Sequence, residues 1–384
     1  MSERARRSHG TRESAAPVLG VDGARLVGRR TGVGRVLEHL LRTWTEQDLP
    51  FRLVRVAVPW PVDDNSAGGA VRFDVVRSAA VSAWWQTMGF RRWASGIDVL
   101  FAPYALPLGY RGPSVVWNLG VQEPRFRSTS PRGRGRVWHF RQSARRANAV
   151  IVNSFATKEA VVRLYGVDPA KVRIIWPGVG GPFRPAGRGE CREVERAAEG
   201  ILGWRDPYLL YVGKLTPRRN VLPLLDAFAR LSDRFPSLRL VLAGPNTAGF
   251  DLPQIGERLG VPGRIHHIER LEQDELAVLY RGARTFVLPT EQEGFSGTIP
   301  EALASGCPVV TLEHPALSEA ELGAAVCALR DASELTEALI RVVADDGFRD
   351  ELAARGPRAV ERLSWAHSAA ETAAVIAAVA RGGR

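Results

Sequence analysis

Cysteine is scarce: Cys191, Cys307 and Cys327 are the only three in 384 residues. Their odd number and wide spacing exclude a disulfide framework and the paired spacing of a zinc site. A reducing compartment is the simplest expectation. No apolar run approaches the roughly 18–20 residues of a membrane-spanning helix. The opening MSERARRSHGTRESAAP is basic but has no apolar core, so it reads as a disordered tail over 1–16 and not as a secretory leader. The expectation is a cytoplasmic protein. Asp-x-Asp does not occur. His266 and His267 are adjacent in an expected strand and point to opposite faces. Neither a metal nor a cofactor is expected.

Acids are outnumbered, 41 against 52 Lys plus Arg, for a net charge of +11. Much of the excess lies in RFRSTSPRGRGRVWHFRQSARR, residues 125–146, which has eight arginines (Arg125, Arg127, Arg132, Arg134, Arg136, Arg141, Arg145 and Arg146) and no acid. A solvated loop and helix face would look like this. So would a surface for an anionic acceptor or for anionic lipid, a peripheral contact at the inner membrane face. Nucleic acid is not expected as a partner, because no recognition module accompanies the arginines and aromatics are sparse.

The length suits two domains, and 45% hydrophobic residues supply both cores. Apolar β-rich runs at 17–22, 52–58, 97–102, 113–118, 148–153 and 172–177 alternate with helical patterns at 34–47, 84–94, 134–146 and 154–165. The second half repeats the alternation, with strands at 207–213, 238–243, 264–268, 284–289, 308–312 and 325–329. Its helices are expected at 219–234, 272–282, 299–305, 333–345 and 347–363. Such alternation predicts an α/β fold of two doubly wound parallel sheets. The expected domains are 17–180 and 207–364, joined by a Gly-, Pro- and charge-rich linker at 181–206 and followed by a terminal helix at 365–384 that could pack back on the first domain. Ligands of such sheets bind beyond the carboxyl ends of the strands, so the expected site is an interdomain cleft.

Three loops leave those carboxyl ends in the second half. YVGKLTPRRN (211–220) brings Gly213, Lys214 and Arg219 to one loop tip. Glycine lets a ligand approach the backbone, while a lysine point charge and an arginine fork suit a diphosphate. LAGPN (242–246) places Gly244 after a strand. EGFSGTIPEALASGCPVV (293–310) sets Glu293 in a loop and Glu301 in the helix behind it. Thr298 followed by Glu301 predicts a capping box. Exposed amides ahead of that helix could bind an anion, and acceptor-only carboxylates suit sugar hydroxyls.

These residues resemble retaining glycosyltransferase family 4, a group with the GT-B fold of two facing Rossmann-like domains. Its signature is an acid, seven residues and an acid. Gly-Phe follows the first acid, and Ala-x-x-x-Gly-x-Pro-Val follows the second. Here it reads Glu293-Gly294-Phe295 and Glu301 through Val309. The family's Gly-Arg-Leu-x-Pro-x-Lys-Asn loop reads Gly213 through Asn220, with the two cations exchanged. More faintly, VDGARLVGRRTGVGRVLEHLL (21–41) resembles its first glycine loop, and 147–179 the end of its acceptor domain.

The resemblance implies a metal-independent transfer of a sugar from a nucleoside-diphosphate sugar to a hydroxyl, with retention of configuration. It implies that Lys214 and Arg219 hold the diphosphate, Glu301 the ribose, and Glu293 the donor sugar. Backbone of Gly294, Phe295, Ser296, Gly297 and Thr298 would contact sugar and phosphate, that near Leu271 the base, and Gly32 and Gly34 the phosphates from the other domain. Where many members have His-Asp in the acceptor domain, this chain has Asn118, a candidate acceptor contact. The acceptor reads as a small molecule of aminocyclitol antibiotic type or as a lipid-linked envelope glycan. Two other readings stay open. TGVGRV (31–36) suggests a dinucleotide-binding oxidoreductase, although G-x-G-x-x-G is incomplete. The absent His-Asp would also suit a GT-B protein that binds sugar nucleotides without transfer.

Overall fold

The structure, a computed structural model, describes residues 16–26, 32–58, 71–75, 90–120, 131–187, 189–290, 295–323 and 326–382. Within them lie two parallel sheets. The first comprises β1 (Val18–Asp22), β2 (Leu53–Val58), β3 (Val71–Val75), β4 (Val99–Pro103), β5 (Ser114–Asn118), β6 (Ala149–Val152) and β7 (Val172–Ile174), in the order β3-β2-β1-β4-β5-β6-β7. The second comprises β8 (Tyr208–Val212), β9 (Arg239–Ala243), β10 (Ile265–Ile268), β11 (Thr285–Leu288), β12 (Val309–Leu312) and β13 (Cys327–Leu329), in the order β10-β9-β8-β11-β12-β13.

Helices fill the connections: α1 (Gly32–Thr45), α2 (Phe90–Ala94), α3 (Pro131–Arg146), α4 (Phe155–Ala160), α5 (Cys191–Leu202), α6 (Val221–Ser232) and α7 (Leu252–Arg258). They continue as α8 (Gln273–Gly282), α9 (Thr298–Ala304), α10 (Pro315–Glu319), α11 (Leu335–Ala344), α12 (Asp346–Val360) and α13 (Trp365–Gly382). Strands β4, β5, β6, β8, β11 and β12 are buried at every residue. Burial on both faces is what a parallel sheet covered by helices demands, and it explains their unbroken apolar runs.

Two features differ from the sequence expectation. The span 181–206 is not a plain linker. It contains the twelve-residue α5, whose Val194, Ala198 and Leu202 are buried at helical spacing, and which packs on α8. Gly203 (φ +79°) ends it, donating its N–H to Glu199 O at 2.7 Å. The flanking glycines, prolines and charges hid that period. Strand β3 was also not expected. Its charged alternate positions find partners: Asp74 accepts from Arg55 Nε at 2.6 Å and Trp93 Nε1 at 2.9 Å.

By contacts the chain divides into two compact units: Met1–Trp117 with Trp138–Val150 and Ala369–Arg384, and Asn118–Val137 with Ile151–Ser368. In the first unit Trp44 donates from Nε1 to Ala369 O at 3.0 Å, tying α1 to α13. In the second, α12 holds α9 from behind. A β-carbon on Gly356 would lie 2.8 Å from Leu303 O, so only glycine allows the two helices this approach.

Candidate functional site

The carboxyl edge of the second sheet gathers most of the candidate residues. β8 ends at Val212, and Gly213 (φ +147°) extends its ladder by donating to Ala243 O at 2.8 Å. Beside it, Gly244 (φ +134°) donates to Ile268 O at 2.8 Å. A β-carbon on Gly244 would lie 2.2 Å from Gly213 O, and one on Gly213 would lie 1.9 Å from Arg219 Nη1. The two glycines therefore form a bare backbone ledge with the Arg219 guanidinium over it. The turn that returns Arg219 is a 3-10 segment, Pro217–Arg219, ended by Asn220 in the left-handed region (φ 52°).

Further bonds fix this ledge. Leu215 N donates to Pro245 O at 3.0 Å, joining the two loops. Tyr211 donates its hydroxyl to Lys214 O at 2.9 Å. His267 Nε2 lies 2.8 Å from Gly244 O; a carbonyl only accepts, so that nitrogen carries the proton. Lys214 is exposed and Arg219 half-buried. Between them Thr216 Oγ1 is buried with no hydrogen-bond partner among the described residues. Neither Tyr211, His267 nor Thr216 was singled out from sequence as belonging to this ledge.

The third loop is only partly described. Glu293 and Gly294 lie outside the described residues. Phe295 is half-buried against the core. The capping box expected at Thr298 and Glu301 does not form. The N-cap of α9 is Gly297, without a side-chain bond, and Thr298 is the first helical residue. The Thr298 hydroxyl instead pairs with Ser296 Oγ at 2.8 Å. A capping box does form at α8, where Glu275 Oε2 accepts from Glu272 N at 2.8 Å. Glu301, half-buried in the first turn of α9, donates its backbone N–H to Gly297 O at 3.1 Å. With seven residues α9 carries a small dipole. Lys214, Arg218 and Arg219 supply positive charge in the loop after β8, and Arg270 follows β10. Leu271, half-buried, follows β10.

His314, two residues past β12, was not singled out either. It is 5% exposed, and neither ring nitrogen has a hydrogen-bond partner among the described residues. Burial pushes its pKa down to about 4. A buried polar group left unpaired costs about 1–3 kcal/mol. The available signal was its position at a strand's carboxyl end.

Asn118 closes β5 and is fully buried. Its Oδ1 accepts from Gly120 N at 3.1 Å, which fixes the amide, and Nδ2 has no partner among the described residues. In the first unit, Gly34 is buried, and a β-carbon there would lie 2.4 Å from Arg25 O. Close packing thus explains that glycine. Gly32 opens α1 with open space where a side chain would stand. Burial raises the Asp22 pKa at the end of β1, against the opposing bond from Ala24 N at 3.0 Å and the charge of Arg25.

Of the arginine run, Arg125 and Arg127 lie outside the described residues. Arg134, Arg136, Arg141, Arg145 and Arg146 are exposed on α3. Trp138, 59% exposed, shares one face with Arg141 and Arg145. No group of three or more His, Cys, Asp or Glu that could hold a metal occurs among the described residues, and no helix among them is long and apolar enough to cross a membrane.

Residues 206–345 match the family of glycosyl transferases group 1, and residues 30–180 match glycosyltransferase family 4. A D-inositol 3-phosphate glycosyltransferase of Streptomyces bingchenggensis is 33% identical over 278 residues, 66% of this chain and 58% of that protein. An O-antigen chain mannosyltransferase B of Escherichia coli is 28% identical over 232 residues, 59% of each chain. The chain therefore aligns with less than two thirds of the length of these relatives. Among solved structures, a sucrose-phosphate synthase from Thermosynechococcus elongatus superposes with TM-score 0.74 at 18% identity, covering 94% of this chain and 98% of the other. Anabaena HepE in complex with UDP and glucose superposes with TM-score 0.71 at 18% identity, covering 94% and 99%. These neighbours give the two-sheet architecture its name, GT-B. With one match in each half, the chain belongs to the group 1 and family 4 glycosyltransferases.

Proposed function

We propose that this protein moves a sugar from a nucleoside-diphosphate sugar to a hydroxyl group. The observation that carries the proposal is the glycine ledge, with the Arg219 guanidinium over Gly213 and Gly244 against the Gly213 carbonyl. Lys214 and Arg219 bind the diphosphate as a point charge and a fork. Glu301 takes the ribose hydroxyls, Glu293 the sugar, and backbone near Leu271 the base, while the amides of Phe295 through Thr298 face sugar and phosphate. As the anomeric bond breaks, charge grows on the diphosphate. The two cations stabilise it most at the transition state. The departing phosphate can take the acceptor proton. The transfer proceeds with retention and without a metal, since Lys214 and Arg219 answer the charge a metal would otherwise meet.

The acceptor we infer is a small phosphorylated polyol of the cyclitol class. In support, relatives are named as acting on D-inositol 3-phosphate, and an arginine-rich helix complements a phosphate. A lipid-linked or envelope glycan is the second reading. The O-antigen mannosyltransferase favours it, as does Trp138 beside Arg141 and Arg145, a pairing that suits an anionic bilayer surface.

A thermal-shift panel of UDP-, GDP-, ADP- and dTDP-sugars tests the donor. A ligand at a hundred times its dissociation constant adds about 2.7 kcal/mol of stability. No shift with any member counts against the proposal. Binding without transfer to any hydroxyl would leave a sugar-nucleotide-binding protein in place of an enzyme.

A further inference from the structure

His314 accepts at its carbonyl from Leu317 N at 3.0 Å, but its buried ring makes no hydrogen bond to any described residue. It stands on extended backbone (φ −150°, ψ 152°) at the N-cap of α10, with Pro315 following, and its side chain caps nothing. Ser, Thr, Asp or Asn would cap that turn, and an apolar side chain would fill the space with no polar atom to satisfy. An imidazole 5% exposed with two unmatched nitrogens is the costly choice, and a buried unpaired group calls for an explanation.

Its place in the sheet supplies one. Register pairs Leu210 with Phe286 and Leu288 with Thr311, so the ends of β8, β11 and β12 follow one another along one edge. At about 4.8 Å per strand, the end of β12 lies roughly 10 Å along that edge from the end of β8. On the proposed reading the base lies toward β10 and the diphosphate at β8. The sugar, beyond the diphosphate, then runs over β11 toward β12. We propose that His314 hydrogen-bonds a hydroxyl of the donor's sugar and so helps select which sugar is transferred. This rests on the nucleotide-sugar reading above.

The chemistry agrees. Burial keeps the ring neutral at physiological pH, so it offers one N–H donor and one bare nitrogen. A sugar hydroxyl accepts and donates, and satisfies both needs. A phosphate oxygen only accepts and favours a cation, which Lys214 and Arg219 supply two strands away.

Titration calorimetry of wild type, His314→Leu and His314→Asn against UDP and UDP-glucose tests this. If UDP-glucose gives no thermal shift, the nucleotide sugar that does is used with its own nucleoside diphosphate. His314→Leu should bind the free diphosphate within about twofold of wild type and the sugar-bearing form about tenfold more weakly, the size of one hydrogen bond. His314→Asn, which keeps a donor and an acceptor, should recover part of the loss. On wild type labelled with ¹⁵N-histidine, the His314 ring signals should move with the sugar nucleotide and stay with the diphosphate; this reading holds even if His314→Leu does not fold. Equal losses for both ligands, no loss for either, or unmoved ring signals overturn the assignment. If wild type binds no sugar nucleotide at all, the donor reading falls and takes this one with it. Unaltered sugar-nucleotide binding in the variants, with a competent wild type, removes the His314 role alone.

Discussion

Arg219 Nη1 stands where a side chain at position 213 would begin, 1.9 Å from a β-carbon built on Gly213. Gly213 also sits at φ +147°, where side-chain-bearing residues are strained. The substitution Gly213→Ala must therefore displace Arg219 as well as strain the backbone. It is expected to lower stability by about 1–3 kcal/mol and to weaken donor binding at least as much as Arg219→Ala does. Thermal melts and titration calorimetry with the donor identified by the panel check both.

Gly244→Ala acts on the same ledge from the other side, since its β-carbon would meet Gly213 O at 2.2 Å. Backbone meets backbone there, so the loops must separate. Once one glycine has been replaced, the ledge is already open. The double variant should cost less than the sum of the singles, with a coupling of about 0.5–3 kcal/mol in a chemical-denaturation cycle.

Arg219→Lys keeps the charge and discards the fork. The diphosphate would lose bidentate geometry but not attraction. Turnover should fall by roughly tenfold, less than the loss for Arg219→Ala, and steady-state kinetics on the two variants side by side measures the difference.

Acid stability should depend on two imidazoles, the buried His314 and the half-buried His39. His314 is held to about 4 by burial. His39 is held to about 4 by burial first, then by Arg42 and Arg35. Both lie below the unfolded value near 6.5, so between those limits the unfolded chain binds more protons than the folded one. Stability is then fully present above about pH 6.5 and falls as pH drops toward 4, by about 1.4 kcal/mol per pH unit for each fully linked proton. Denaturation from pH 7 to 4 should show this slope, and His314→Leu should reduce it by one proton.

Much of the architecture was legible because β8, β11 and β12 are continuous apolar runs, which a sheet covered on both faces requires. Gly213 and Gly244 were legible as glycines at strand ends, where the chain must turn without a side chain. Helix α5 was not, because Gly, Pro and charge crowd both its ends while its buried stripe is only Val194, Ala198 and Leu202. The Thr298 cap was misplaced by one residue. Ser296 competes for the same hydroxyl, a choice that spacing alone does not decide. For His314 the only local signal is its place just past the carboxyl end of β12. Its interest arises from burial without partners, which only packing reveals.

Single-turnover transfer by Arg219→Ala and Lys214→Ala tests the proposed function most directly, using the donor from the panel and a cyclitol phosphate acceptor. If these cations carry the charge that develops on the diphosphate, each variant should lose on the order of 10²–10³ in rate. Rates within a few-fold of wild type for both would contradict it.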